Sequence, residues 1–145
     1  MKAKQTISAK EGRGFINGEE IINGVKFELV VEKEKVEVKR LGNRVTGNKA
    51  VGMKVTGNIT EYHATSRYAK MLKQYKATGE DVYFTLMGVV DDKGSGRGTE
   101  RIVAYDCNID SATILNIDAE GELIKDEVPF TAEDWDIQQT LTDSF

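Results

Sequence analysis

Hydrophobic and polar residues alternate with period two along much of the chain, the mark of strands with one buried face. Val25, Phe27, Leu29 and Val31 alternate with Lys26, Glu28 and Val30, and Met53, Val55, Gly57 and Ile59 alternate with Lys54, Thr56, Asn58 and Thr60. The pattern predicts a strand over 25–41, a loop over 42–52 and a second strand over 53–62. Such a loop exceeds the usual hairpin length of about 2–5 residues. The apolar set also changes phase, from odd positions to Val36 and Val38. A period-two strand changes face only through an extra residue, so a β-bulge or sharp bend is expected between Glu32 and Lys35.

Other elements follow from the same pattern and from turn residues. Asn17-Gly18 between Phe15-Ile16 and Glu19–Ile22 reads as a hairpin, because a type I′ turn needs two residues with positive φ. Tyr68, Met71, Leu72 and Tyr75 fall at i, i+3, i+4 and i+7, which predicts a helix over about 65–78, capped by Thr65 or Ser66 and ended by Gly79. Val82–Val90 reads as a strand buried on both faces, and 91–99 as a flexible glycine-rich loop. Val103, Tyr105, Cys107 and Ile109, then Thr113, Leu115 and Ile117, read as two strands or one long bent strand. Leu123–Trp135 reads as the last strand, with Val128 and Phe130 inward and Pro129 at an edge or bulge, before a polar tail over 137–145. No β-α-β alternation occurs. The fold class expected is a mainly β, antiparallel β-sandwich or barrel with one flanking helix, and a long projecting β-arm over about 33–56.

Charge sharpens this picture. The formal net charge is −4, yet residues 1–105 hold 19 Lys/Arg against 13 Asp/Glu, and residues 106–145 hold Lys125 against 11 Asp/Glu. Opposite signs at opposite ends suit head-to-tail self-association, and they equally suit two solvated faces of a monomer. From Lys39 to Lys54 the arm carries Lys39, Arg40, Arg44, Lys49 and Lys54 and no carboxylate. The pI of about 5.1 and the absence of an aromatic in the loop argue against a nucleic-acid groove.

The candidate chemistry is sparse. A chain of 145 residues is one domain, 1–145, with the arm loop at 40–52 and an acidic tail at 137–145. It has no run of about 18 apolar residues, and its start lacks the apolar core of a secretory leader. The lone Cys107 suits a reducing compartment and lies on the apolar phase of its strand. Gly94-Ser-Gly-Arg-Gly lacks the Gly-Lys-Ser/Thr ending of a phosphate-binding loop. His63, the one histidine, has no second histidine or cysteine beside it for zinc, and nothing near it in sequence suggests an orienting group. The acids between Asp106 and Asp136 lack calcium-loop spacing. Trp135 among them is a core anchor or an interface aromatic. No cofactor, metal or catalytic residue is expected.

Several segments nevertheless resemble one family. They are Met1-Lys-Ala-Lys-Gln-Thr-Ile-Ser-Ala-Lys-Glu-Gly-Arg, Val-Glu-Lys-Glu-Lys-Val-Glu-Val-Lys-Arg-Leu-Gly at 31–42, Thr-Ser-Arg-Tyr-Ala-Lys at 65–70, Cys-Asn-Ile-Asp-Ser at 107–111 and Phe-Thr-Ala-Glu-Asp-Trp-Asp at 130–136. In order and length the chain resembles the inner tail-tube protein of contractile phages and PBSX-like defective prophages. The resemblance implies a fold shared with type VI secretion tubes, and six copies in a ring with rings stacked into a hollow tube inside a sheath. It implies as partners other copies of the chain, the tail sheath, baseplate and tail-terminator proteins, with DNA as transient cargo and no membrane anchor. The particle would be a virion or tail-like body assembled in the host cytoplasm. Under that reading Arg40, Leu41, Arg44, Val45, Lys49 and Val51 on the arm, and Asp126, Glu127, Asp134 and Trp135 near the acidic end, are the expected subunit interface. The alternative is a small β-barrel binding module outside any tube.

Overall fold

The computed structural model describes residues 1–144. Its strands are β1 (Gly12–Ile16), β2 (Glu19–Glu20), β3 (Gly24–Val38), β4 (Gly47–Tyr62), β5 (Phe84–Asp91), β6 (Thr99–Ile109), β7 (Lys125–Ala132) and β8 (Asp134–Gln139), with one α-helix, α1 (Arg67–Thr78). All pairings are antiparallel, in the order β2-β1-β5-β6-β7-β4-β3, and β8 also pairs with β6.

Strand β6 joins the two halves of this sheet. Its first part pairs with β5 and β8, and its last two residues, Asn108 and Ile109, pair with β7. The transition is a bulge. Phe84 opposes Cys107 and Leu86 opposes Ala104, so Tyr105 and Asp106 together face one residue of β5. Asp106 takes φ 51° there, the local twist that a bulge imposes. The core fills the space between the halves: Ile16, Leu86, Ala104 and Cys107 on one side, Ile59, Val128 and Phe130 on the other. Phe84 and Phe130 meet edge to face at 6.0 Å. Cys107 is fully buried, and burial pushes its thiol up to about 11, the behaviour of an inert thiol.

The β1–β2 hairpin has its expected turn, with Asn17 at φ 51° and Gly18 at φ 84°. Asn17 also ties that turn to β5: its N–H donates to the Thr85 carbonyl at 2.9 Å, and its Oδ1 accepts from the Thr85 N–H at 3.0 Å. Helix α1 ends at Gly79, φ 75°, whose N–H donates to the Tyr75 carbonyl. Two details of the helix differ from expectation. Ser66 caps it without a side-chain hydrogen bond, and Tyr75 is 55% exposed, so the buried stripe stops one turn early at Met71 and Leu72.

Other segments depart from the sequence reading. Strands β3 and β4 pair as far as Val38 and Gly47, so the connecting loop is 39–46 and not 42–52. The expected bulge is present, but its extra residue is Val51 on β4, between the pairs Glu34–Gly52 and Lys35–Ala50. A second irregularity places Val25 outside the pairing and exposes it, where it was expected inward. The loop at 92–98 is internally bonded: Asp92 accepts from the Ser8 and Gly94 N–H groups, and Ser95 and Arg97 are buried.

The strand expected at 113–117 does not form, and 110–124 is irregular. Its last ladder bond runs from the Asp110 N–H to the Pro129 carbonyl. The single strand expected over 123–135 breaks at Glu133, where the chain crosses from β4's half to β6's half as β8. The first three residues of the expected polar tail belong to β8; beyond them the Thr142 N–H donates to the Arg97 carbonyl and Arg97 to the Ser144 carbonyl, and Phe145 lies outside the described residues.

Candidate functional site

Two surfaces and one buried cluster stand out. The first surface is the arm. Every residue from Glu32 to Lys54 is exposed, so this hairpin packs on nothing in its own chain. At about 3.4 Å per residue, its paired stretch from Glu32 to Val38 extends roughly 20 Å, and the loop 39–46 lies beyond it. The carboxylates Glu32, Glu34 and Glu37 are confined to β3, so the far end is purely cationic. Arg40, Leu41, Arg44 and Val45 all lie in that end loop, and Lys49 and Val51 on the adjoining β4. Leu41 is 104% exposed, more than an isolated leucine reference. A solvent-facing ribbon of this kind gains little from its own fold, because a two-stranded hairpin is marginal alone.

The acidic residues proposed to face it are not all available. Glu127 and Asp134 are exposed and Trp135 is half-buried on β8 opposite Ala104. Asp126, however, is buried and turned inward. It shares the phase of Val128 and Phe130 on β7, and that phase was the signal in the sequence that could have excluded it from the surface.

Asp126 instead belongs to a buried polar cluster that sequence reasoning missed. Its Oδ2 lies 2.8 Å from His63 Nδ1, so His63 does have an orienting carboxylate, from a strand distant in sequence. Across the ladder Asp126 directly opposes Glu61, which is fully buried. The Tyr68 hydroxyl donates to Glu61 Oε2 at 3.3 Å, while Glu61 Oε1 and Arg67 Nη1 are buried without a hydrogen-bond partner. Burial pushes the Glu61 carboxyl above its ordinary 4.5, against the pull of Arg67 and Tyr68, and neighbouring Asp126 adds to the rise. The cluster fixes the start of α1 to β4 and β7. Among the described residues no hydroxyl or thiol hydrogen-bonds to His63.

A raised carboxyl binds its proton more tightly in the folded state, so its contribution is complete below 4.5 and is lost as pH rises through the higher folded value. Glu61→Gln removes this term. Relative to Glu61→Gln, the natural chain should therefore be most stable at acidic pH and lose ground as pH rises from 4.5. Thermal melts of both proteins from acid to neutral pH measure it, and a constant difference refutes the assignment.

The second surface is the irregular segment 110–124. It holds Asp110, Asp118, Glu120 and Glu122 and no Lys or Arg. It also exposes Ile114, Leu115, Ile117 and Leu123. The alternation that predicted a strand here has no ladder partner among the described residues.

The chain is thus a β-sheet folded about a core, with an exposed cationic ribbon and an acidic, partly apolar flank. The family described as Phage tail tube protein matches residues 1–139, and the chain belongs to it. It is 48% identical over 145 residues to the phage-like element PBSX protein XkdM of Bacillus subtilis strain 168, covering 100% of this chain and 99% of that protein. Among solved structures, it is similar to a chain of the sheath/tube terminator of the extracellular contractile injection system PVC, with a TM-score of 0.75 at 9% identity, covering 92% of this chain and 97% of that one. A chain of the PVC sheath-tube complex matches with a TM-score of 0.69 at 10% identity, covering 97% and 99%. At such low identity these two structures speak for the fold.

Proposed function

We propose that this chain is the repeating subunit of the inner tube of a contractile phage tail or phage-tail-like particle. Six copies form a ring, and rings stack into a hollow cylinder that carries DNA or acts as the penetrating needle. The observation that carries the reading is the arm, wholly exposed and cationic at its far end, on a chain of the tail tube family. Strands of neighbouring copies line the channel, and the arm reaches the adjacent copy. Heterologous contacts of this kind need two different complementary patches on each subunit. The tail sheath, baseplate and terminator proteins are the other partners, and the particle is assembled in the host cytoplasm. The role is structural, and no residue is assigned a catalytic step. A lumen that passes DNA is polar and not strongly basic, since phosphate binding with counterion release would hold the cargo in place.

Negative-stain electron microscopy of the purified protein tests this. Rings and stacked tubes are expected. A species that stays at the monomer mass of 16.1 kDa at every concentration and salt overturns the reading.

A further inference from the structure

We infer that segment 110–124 is the seat on which the arm tip of a second copy docks. The inference rests on the tube reading and goes further, since it names the surface that receives the arm. Three observations converge on it. The first is chemical complementarity: the seat is acidic and apolar, and the tip at 39–46 is cationic and apolar. Leu115 and Ile117 are 78% and 82% exposed, and at the tip Val45 is 74% exposed beside the fully exposed Leu41. Apolar side chains clustered in this way mark an interaction site, and matching charge selects its occupant and its register.

The second observation is shape. A recess of about 170 Å³ is lined by Leu115, Ile117 and Ile124 and also by the polar His63, Asn116 and Asp126. Beside it, a recess of about 150 Å³ is bounded by Asp118, Glu122 and Leu123. A recess with aliphatic side chains in its wall, next to an acidic one, matches a leucine flanked by arginines, Arg40-Leu41 and Arg44. The third is the backbone. The alternation at 113–117 is that of a strand, yet among the described residues no neighbour pairs with it. Beside the tip, residues 47–54 of β4 in a second copy are extended and have a free edge, which supplies such a neighbour by β-augmentation. In the docked state Leu41 enters the recess lined by Leu115 and Ile117, and Arg40 and Arg44 face Asp118, Glu120 and Glu122.

Charge exchange between two variants tests the seat. Variant one is Arg40→Glu with Arg44→Glu; variant two is Glu120→Lys with Glu122→Lys. Both alter exposed side chains only, and a thermal melt of each confirms that it folds. Each alone should lose pelletable assembly by about tenfold or more, the effect of like charges facing each other at an interface. Mixed in equal amounts they should recover it, because the reversed arm fits the reversed seat and the natural arm fits the natural seat. A second measurement uses Leu41→Cys with Leu115→Cys in a Cys107→Ser background, where mild oxidation should give a ladder of covalent oligomers. If the natural protein forms tubes but the mixture does not recover and no ladder appears, the seat is wrong and the tube reading stands. If the natural protein never associates, both fall.

Discussion

Joining Lys35 directly to Ala50 through an Asn-Gly turn, with residues 36–49 removed, should abolish polymerisation and leave a folded monomer. The two residues already pair across the hairpin, and a two-residue Asn-Gly loop closes such a pair with the twist that antiparallel strands require. All the deleted residues are exposed. Changes at such positions usually alter stability by about 0.5 kcal/mol or less, a shift of roughly 1–2 °C in Tm for a chain of this size. Assembly should fall by about a hundredfold or more, since the arm supplies one side of a heterologous contact. Sedimentation velocity and a thermal melt read the two effects separately. An unchanged polymer yield removes the arm from assembly, and a molten monomer shows that the arm helps hold the core.

The largest effect on folding is expected at Gly57. This residue opposes Phe130 in β7. A Cβ there would lie 2.3 Å from Phe130 Cζ and 2.5 Å from the Glu28 carbonyl oxygen in β3. The ring could turn away, but the carbonyl belongs to the paired backbone and could not move without opening the ladder. Gly57→Ala should therefore cost about 1–3 kcal/mol, the scale of overpacking in a well-filled core, and lower Tm by roughly 2–12 °C. Gly88→Ala in β5 is the control, because a Cβ there meets nothing within 4 Å. It should be neutral or slightly stabilising, since glycine is entropically costly within a strand. Equal losses at the two positions would show that the effect is not steric. Phe130→Leu combined with Gly57→Ala should recover part of the loss, a coupling that a double-mutant cycle measures.

What the sequence made legible was local. Asn17-Gly18 announced its turn and Gly79 its helix end, because few residue types adopt positive φ readily. The phase change from Val31 to Val36 announced the arm's bulge, although not that Val51 on the opposite strand would be the extra residue. The arm's paired length was hidden for a physical reason. Beyond Val31 the ladder buries no side chain, so no apolar period marks how far it continues.

What depended on distant register was missed. Asp126 read as one of many surface acids until its pairing with Glu61, from another strand, placed both carboxylates on the buried side. The His63–Asp126 pair follows from the same register. The segment at 113–117 shows the opposite error: its alternation is genuine, but a strand also needs a partner, and side-chain pattern alone does not say whether one lies within reach. The proposed interface set is divided accordingly. Its arm members are all displayed, while Asp126 is withdrawn.

Strand β3 also forms the outer margin of its half of the sheet. Left bare, such a margin offers main-chain donors and acceptors to any passing strand. Here Glu32, Lys33, Glu34, Lys35 and Glu37 follow one another along it. Alternating ions of both signs stay hydrated and resist indiscriminate sticking. Unrelated strands thus find little to pair with along this margin.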